Sequence, residues 1–492
     1  MTLIVYNGNT QTKNKTSLKN ILSQATAAMG RGWDTVNFLR TEGYGTRYFV
    51  EQSERYEGPY ISNHFSRTAT IDAHRNRAMV QYQTTADFFG PSPVSSYMID
   101  SGDIAIKNEN GLAPCMPDDE LQDLPLLQPI YLLRSAAEDA DASFDGDTVL
   151  QKKPVSIVCF RYSRFPVRLF INKETHLLTA VEVTKPHPGD YASLWGDARK
   201  TVFYSFWVLP AANIHYPAQA DVFLNDYCME SFLITRLSVN EASAADSLLS
   251  LPERVRIGSR KMDEKFQQQY IDAMEQSKSA IADGIWVIPG PCNTTVVKQE
   301  DGLVVIESSY SSNYGEAVLD EVKRIFPKER IKAFIATSDA WYHLGGIRAF
   351  AALDIPMYFP YLNQPLIERI LKSPFYSNPD HFAKKKNHSF QLRPVHDILS
   401  IGDGLNKISL FPYKTETGDR MMMVYFPGQK IVYCSDLYQP KGRNGKYWQP
   451  DYAWEVYHSI RQYNLVVDKF YAMHQAKLLP LDVLEKDFGN AD

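Results

Sequence analysis

Residues 337–346 form a loop whose side chains could transfer protons or bind a metal ion. Asp339, Tyr342 and His343 stand close together, after a buried strand predicted for 331–336 and before a helix predicted to begin near Gly346. Tyr342 could act as an acid or base only if its pKa were well below the usual ~10. A single histidine is more often structural, so His343 could equally cap the following helix.

The elements around this loop alternate between apolar strands and amphipathic helices. Strands are predicted for 285–289, 294–298, 303–307, 331–336, 355–359, 408–412, 421–426, 430–434 and 467–472. Helices are predicted for 316–326, from near 346, for 365–372 and for 454–462. Such alternation indicates sheets covered by helices.

This order of elements resembles the metallo-β-lactamase superfamily, an αββα sandwich with a metal site along one edge of its two sheets. The loop 337–346 stands where the family usually has Thr-His-x-His-x-Asp-His-x-Gly-Gly. At those positions Ser338 and Ala340 replace two histidines, Tyr342 replaces the aspartate, and His343 is kept.

Two later landmarks of the family are also present. Segment 430–436 ends in Asp436, like the family strand that ends in a metal-bridging aspartate, and segment 470–474 ends in His474, like the strand that delivers the last histidine. The family's remaining histidine should precede 421–427, but residues 415–420 contain none. The resemblance therefore implies a degenerate site.

At most one metal ion is implied, a zinc, iron or manganese ion held by His343, Asp436 and His474, or no ion at all. Asp339 and Tyr342 are candidates for extra ligands or proton-transfer groups. Asp339, however, does not stand at a position of the motif that holds a ligand in the family. The alternative is that Asp436 only binds backbone amides in its turn.

The loop ends in two glycines, for which a structural role is expected. Gly345 and Gly346 should allow the following helix to approach the site closely. Cys434 shares a strand face with Asp436 and is expected to be a buried core thiol.

The first half of the chain has a different pattern. Short runs between 41 and 240 alternate with period two, which indicates an antiparallel sheet with one face in water. Helices are predicted for 18–29 and 121–135, and a surface loop for the acidic, alanine-rich stretch 135–147. The aromatic strands resemble, weakly, the half-open sheet of lipoprotein-carrier-like domains.

A helix is also predicted for 262–280, because Met262, Phe266, Tyr270 and Met274 recur every four residues. The fold class is therefore α+β, with an antiparallel β domain at 1–245, a helical linker at 246–283 and an αββα domain at 284–492.

Composition narrows the partners and the location. The 52 basic and 57 acidic residues leave a net charge of −5 without a basic block, so no nucleic-acid partner is expected. No apolar stretch is long enough for a membrane span. The N-terminal apolar run is too short for a signal peptide, and five widely spaced cysteines argue against a disulfide framework, which favours the cytoplasm, with export of a longer precursor left open.

Three hypotheses for function follow. The first is a hydrolase-like enzyme with at most one metal ion, acting on an ester, lactone or thioester, with a small and apolar substrate and a homodimer left open. The second is a metal-free descendant that binds a ligand or partner. The third is a metal-independent isomerase, lyase or cyclase that uses Tyr342, His343 and Asp339.

Overall fold

A computed structural model describes most of the chain, and it divides into two compact units. The described residues are 10–50, 55–86, 91–115, 119–125, 127–162, 164–186, 194–211, 213–241, 251–252, 255, 268–274, 279–387, 389–442, 445–447 and 449–489. Unit 1 comprises 1–50, 61–189 and 197–263, and unit 2 comprises 51–60, 190–196 and 264–492. Unit 2 thus includes two short segments, 51–60 and 190–196, that no pattern in the sequence assigns to it.

Unit 1 is built on a thirteen-stranded antiparallel sheet, in the order β6-β5-β4-β3-β2-β1-β15-β14-β11-β10-β9-β8-β7. Its strands are β1 (Phe38–Phe49), β2 (Ile61–Asp72), β3 (Arg77–Ala86), β4 (Ser95–Asp100), β5 (Asp103–Asn108), β6 (Gly111–Pro114), β7 (Ser143–Leu150), β8 (Lys153–Tyr162), β9 (Phe165–Asn172), β10 (Leu178–Pro186), β11 (Asp197–Ser205), β14 (Gln219–Leu224) and β15 (Tyr227–Val239). A separate pair is formed by β12 (Leu209–Ala211) and β13 (Ile214–Tyr216).

One face of this sheet is covered by helices, as its period-two pattern predicts. The helices are α1 (Thr10–Ala28), α2 (Asp119–Gln122) and α3 (Pro129–Glu138). Leu22 of α1 and Leu133 of α3 share one apolar core with Phe65 and Ala69, which alternate along β2.

Two predictions for unit 1 are wrong. The stretch 135–147 is the end of α3 followed by the edge strand β7, because an exposed edge strand can be acidic without being a loop. The helix predicted for 121–135 is two helices, with α3 beginning at Pro129, since proline lacks the N–H that a continuous helix requires.

Unit 2 contains two sheets. The first has the order β16-β17-β18-β19-β20-β21-β22 and the second the order β23-β24-β25-β26-β27-β28. The strands are β16 (Ser279–Ala282), β17 (Ile285–Ile288), β18 (Thr294–Gln299), β19 (Gly302–Ile306), β20 (Ile331–Ile335), β21 (Met357–Pro360), β22 (Leu392–Val395), β23 (Leu399–Ile401), β24 (Ile408–Pro412), β25 (Met422–Phe426), β26 (Ile431–Tyr433), β27 (Lys469–Ala472) and β28 (Gln475–Pro480). The helices that follow β16 are α4 (Ser312–Ile325), α5 (Ile347–Ala352), α6 (Gln364–Lys372), α7 (His381–Lys384), α8 (Pro450–Gln462) and α9 (Asp482–Phe488).

The layers of unit 2 follow from where its apolar side chains pack. One core lies between the sheets, where Val304 of the first sheet clusters with Val424 of the second. On the outer faces, Phe350 of α5 stacks on Phe334 of β20 with ring centroids 4.2 Å apart, and Val456 of α8 clusters with residues of the second sheet. Unit 2 is therefore an αββα sandwich, and the chain is α+β, as predicted.

The helix predicted for 262–280 lies largely outside the described residues. Residues 268–274, with Tyr270 and Met274, are helical, whereas Ser279 and Ala280 belong to strand β16, so the predicted end of the helix is wrong. Met262 and Phe266 lie outside the described residues.

Two further expectations concern the whole chain. All five cysteines are free, as predicted. No helix among the described residues is both long enough and apolar enough to cross a bilayer.

Candidate functional site

The loop 337–346 is held to the second sheet at its first residue. The carbonyl of Thr337 accepts a hydrogen bond from the backbone N–H of Met422 at 3.0 Å, and the hydroxyl oxygen of Thr337 lies 2.7 Å from Oγ of Ser435. Ser435 immediately precedes Asp436. These contacts place the loop, which follows β20 of the first sheet, directly beside the end of β26.

Asp436 and His474 are brought together by parallel pairing. β26 and β27 are parallel neighbours in which Tyr433 lies opposite Tyr471, so the residues just past their carboxyl ends meet at one edge of the sheet. A hydrogen bond from Met473 N to Ser435 O, at 3.0 Å, continues the pairing beyond the strands.

The Asp436 carboxylate contacts both imidazoles of the predicted set. Its Oδ1 lies 3.1 Å from Nε2 of His474, and its Oδ2 lies 3.7 Å from Nδ1 of His343. The two imidazole rings are 5.6 Å apart between centroids. The structure therefore brings His343, Asp436 and His474 into one cluster.

Burial differs across the cluster and sets its protonation. Burial lowers the pKa of His343 to about 4, against the attraction of Asp436, so this imidazole is neutral at pH 7. Burial alone would raise the pKa of Asp436, but the two imidazoles and a hydrogen bond from Gln439 hold it below its usual range. Burial opposes protonation of His474, yet Asp436 and the Pro291 carbonyl together raise its pKa.

Ser338 also contacts His343, and its position excludes one familiar arrangement. Its Oγ lies 2.9 Å from Nδ1 of His343, the same nitrogen that faces Asp436. In a Ser-His-Asp triad the hydroxyl and the carboxylate contact opposite nitrogens of the ring. Ser338 therefore orients the imidazole and is not placed as a nucleophile.

The other predicted residues of the loop are placed less completely. Asp339 is buried. The side chain of Tyr342 lies outside the described residues, and its predicted role stays a prediction. Cys434 packs in the apolar core beneath α8, as expected.

Gly345 and Gly346 allow a close approach between the loop and residues 308–310. A Cβ on Gly345 would lie 2.3 Å from the carbonyl carbon of Tyr310, and one on Gly346 would lie 2.1 Å from Oγ of Ser308. The N–H of Gly346 donates to the Ser308 carbonyl at 2.8 Å. The loop can therefore run against 308–310 only without these side chains.

Glu307 is a buried acid that forms hydrogen bonds with the first residue of the loop. It is fully buried just past β19, and its Oε1 accepts hydrogen bonds from the backbone N–H of Thr337, at 2.6 Å, and from the Thr337 hydroxyl. Burial raises its pKa to about 8, although both hydrogen bonds act in the opposite direction. The sequence analysis did not identify this residue.

Cys292 is the second residue of the site that was not predicted from the sequence. Its Sγ and one ring nitrogen each of His343 and His474 all lie within 4.8 Å of one another. Cys292 follows β17 in the short turn 289–293, and only its position after a strand could have drawn attention to it. A set of one thiol and two imidazoles has the donor chemistry of a metal site.

Comparisons with known proteins give partial likenesses to solved structures. No family profile and no curated protein matches the chain. It is similar to a metallo-β-lactamase from Pontibacter korlensis, with a TM-score of 0.33 and 14% identity over 43% of this chain and 97% of that one. It is also similar to the metallo-β-lactamase FIM-1 from Pseudomonas aeruginosa in its mono-zinc form, with a TM-score of 0.31 and 13% identity over 42% and 91%.

A third solved structure is a sec-alkylsulfatase, Pisa1 from Pseudomonas sp. The TM-score is 0.30 and the identity 16%, over 42% of this chain and 39% of the sulfatase. This chain therefore spans about two fifths of the length of the sulfatase that it matches.

Proposed function

We propose that unit 2 is a hydrolase-like enzyme of the metallo-β-lactamase superfamily that uses one metal ion. His343, Asp436 and His474 would hold this ion. One observation carries the proposal: a single carboxylate, Asp436, reaches two imidazoles from two other segments at the edge of the second sheet.

The distances within the cluster suit a metal ion. Donor atoms around a tetrahedral zinc, with bonds of about 2.0 to 2.2 Å to nitrogen and oxygen, lie about 3.3 to 3.6 Å apart. The distances from Asp436 to His474 and His343, 3.1 and 3.7 Å, bracket that range. Neutral His343 and ionised Asp436 are in the protonation states that a ligand needs.

The surroundings of the imidazoles support the same role. Ligand histidines usually donate their second ring N–H to a carbonyl or carboxylate, which fixes the ring. The ring of His474 hydrogen-bonds in this way to the carbonyl of Pro291.

When bound, the ion would polarise a carbonyl oxygen and lower the pKa of a water molecule. The protein's own residues then have distinct tasks. Asp436 orients both imidazoles, and the quarter-exposed His474 marks the side open to solvent. Asp339 and Tyr342 are the proposed proton-transfer groups. An ester, lactone or thioester, whose acyl carbon is already reactive, suits a site without a second metal.

The proposal extends to the substrate, the assembly, the location and the domain boundaries. These are a small apolar substrate, a homodimer, a cytoplasmic location and the domain boundaries at 245 and 283. The likeness of the unit 1 sheet to a lipoprotein carrier is also a proposal.

Elemental analysis of the full-length protein, purified without chelator, tests the proposed function. We expect close to one zinc, iron or manganese ion per chain, together with hydrolysis of a panel of aryl esters, lactones and thioesters that EDTA abolishes. Replacement of His343 by alanine should remove both the metal and the hydrolysis. A metal content near zero that does not rise on incubation with these ions would refute the proposal.

A metal-independent role is the second candidate, and one contact favours it. Oδ1 of Asp436 and Nε2 of His474 form a hydrogen bond that is complete without an ion, and the pKa of His474 is raised accordingly. A pseudoenzyme or an isomerase, lyase or cyclase could use this pair. Catalysis or ligand binding that persists in EDTA, and is lost in His474→Gln, would favour it.

A further inference from the structure

We infer that Cys292 ligates the metal of this site, so that sulfur is bound to the ion together with the imidazoles. The inference rests on the proposed function, because it requires that the cluster bind a metal. It adds a soft donor to a set that otherwise holds nitrogen and oxygen only.

The position of the thiol carries the inference. The ligand atoms of Cys292, His343 and His474 are mutually within 4.8 Å, and all three residues are wholly or largely buried. Donors around a zinc with sulfur and nitrogen ligands lie about 3.3 to 3.8 Å apart. Each pair of these atoms would therefore need to approach by at most about 1.5 Å.

The turn that carries Cys292 is fixed to the strand that carries His474. Asn293 donates its backbone N–H to the carbonyl of Met473 at 2.8 Å and its side-chain amide to that of Ala472 at 3.4 Å. On the other side of Cys292, the carbonyl of Pro291 accepts a hydrogen bond from His474. The thiol is thus held between two contacts to the segment that supplies a ligand.

Gly290 adds a second constraint on the same turn. A Cβ at this position would lie 2.0 Å from the hydroxyl of the buried Tyr314. The turn therefore packs closely against Tyr314 of α4.

Cys434 is a core cysteine of the same unit and serves as a comparison for Cys292. It is equally buried, but its cluster consists of apolar side chains such as Met423 and Phe470. Cys292 also packs in an apolar cluster, but its Sγ lies within 4.8 Å of a ring nitrogen of His343 and of His474. A buried thiol beside two imidazoles suits a metal ligand better than a packing residue.

A thiolate ligand changes which ion the site should prefer. Thiolate and imidazole donors favour zinc, whereas carboxylate and water favour manganese. The inference therefore favours zinc over manganese among the ions that the proposed function leaves open. Sulfur could accompany Asp436 in the ligand set or take its place, and both arrangements put Cys292 on the metal.

Cobalt substitution of the full-length protein tests the inference without an activity assay. The Co²⁺ form should show the near-ultraviolet charge-transfer absorption of a thiolate bound to cobalt. Cys292→Ser should lose this band and bind zinc about tenfold or more weakly, with a smaller change for manganese. The matched control Cys434→Ser, at an equally buried position, should retain the band.

X-ray absorption of the unmodified zinc protein covers the case in which Cys292→Ser does not fold. A sulfur neighbour at about 2.3 Å is expected. Stoichiometric metal with only nitrogen and oxygen neighbours, or a charge-transfer band that survives in Cys292→Ser, would overturn the role of Cys292 and leave the proposed function standing. Absence of metal binding altogether would overturn both.

Discussion

Oδ1 of Asp436 lies 3.1 Å from Nε2 of His474, although 38 positions separate the two residues in the chain. The contact exists because β26 and β27 are parallel and end at the same edge of the sheet. Each residue sits one turn beyond a buried strand, so the sheet core itself sets the distance between them.

The first prediction concerns this carboxylate. Asp436→Asn keeps the size of the side chain but removes the charge that both imidazoles face. We expect metal affinity and kcat/KM to fall by more than about 100-fold, the upper end of the loss caused by altering a residue outside the ligand set. Titration with a competing chelator measures the affinity. Asp468→Asn, at the exposed opposite end of β27, is the control and should change neither value.

The second prediction concerns the hydroxyl that fixes His343. Ser338→Ala removes the 2.9 Å contact to Nδ1, which is one of the contacts that orient the ring. Metal affinity should fall by about 10- to 100-fold, while the free energy of unfolding of the metal-free protein changes much less. The same measurements on Ser400→Ala, an exposed position on β23, provide the baseline. Unchanged affinity in Ser338→Ala would show that packing alone orients the imidazole.

The third prediction is a pH dependence that arises from Glu307. Its pKa is raised from 4.5 to about 8 in the folded protein, so the folded state keeps a proton that the unfolded state loses. Its contribution to stability is complete below about pH 4.5 and is lost as the pH rises through about 8. Glu307→Gln removes this loss, since the amide oxygen can still accept both hydrogen bonds from Thr337.

Urea denaturation in EDTA at pH 5 to 8 measures the effect. The stability of the unmodified protein relative to Glu307→Gln should decline with a slope that approaches about 1.4 kcal/mol per pH unit. Glu416→Gln, at an almost fully exposed position, should show no such divergence. Parallel curves for the unmodified protein and Glu307→Gln would mean that the buried carboxyl has its ordinary pKa.

The fourth prediction concerns the buried ion pair behind the loop. Arg348 of α5 donates from Nε and Nη2 to the two carboxylate oxygens of Asp380, at 2.6 and 3.0 Å, and both side chains are buried. Arg348→Met leaves the carboxylate without its cation and should lower the free energy of unfolding by about 3 to 5 kcal/mol.

The double variant Arg348→Met with Asp380→Asn is the control for that prediction, measured by the same denaturation. It removes both charges and should recover part of the loss. Equal destabilisation in the single and double variants would locate the effect in the packing of Arg348 against Phe375.

The sequence predicted most elements of unit 2, because each of those buried strands and amphipathic helices has its own local period. Strands β16, β22, β23 and β28 and helices α7 and α9 were not predicted. Strand β20 and helix α8 lie where their patterns indicated. His343, Asp436 and His474 could be named because each stands just beyond such an element. Their convergence could be expected only through the resemblance.

Cys292 and Glu307 were missed for a physical reason. Each becomes part of the site through contacts with segments far away in the chain, such as the hydrogen bond from Asn293 to Met473. Such a contact leaves no periodic pattern in the local sequence. The edge strand β7 was missed for the opposite reason, because its own exposed, acidic residues give it the composition of a loop.

The division of the chain into units has a practical consequence for protein engineering. Tyr56, from the short segment 51–60 of unit 2, lies under the guanidinium groups of Arg369 and Arg420, and Trp195, from the segment 190–196, lies under Arg369. A gene fragment that starts at 264 would therefore lack two aromatic partners of its own fold. Truncated proteins and domain exchanges should therefore use a different boundary, or include the segments 51–60 and 190–196.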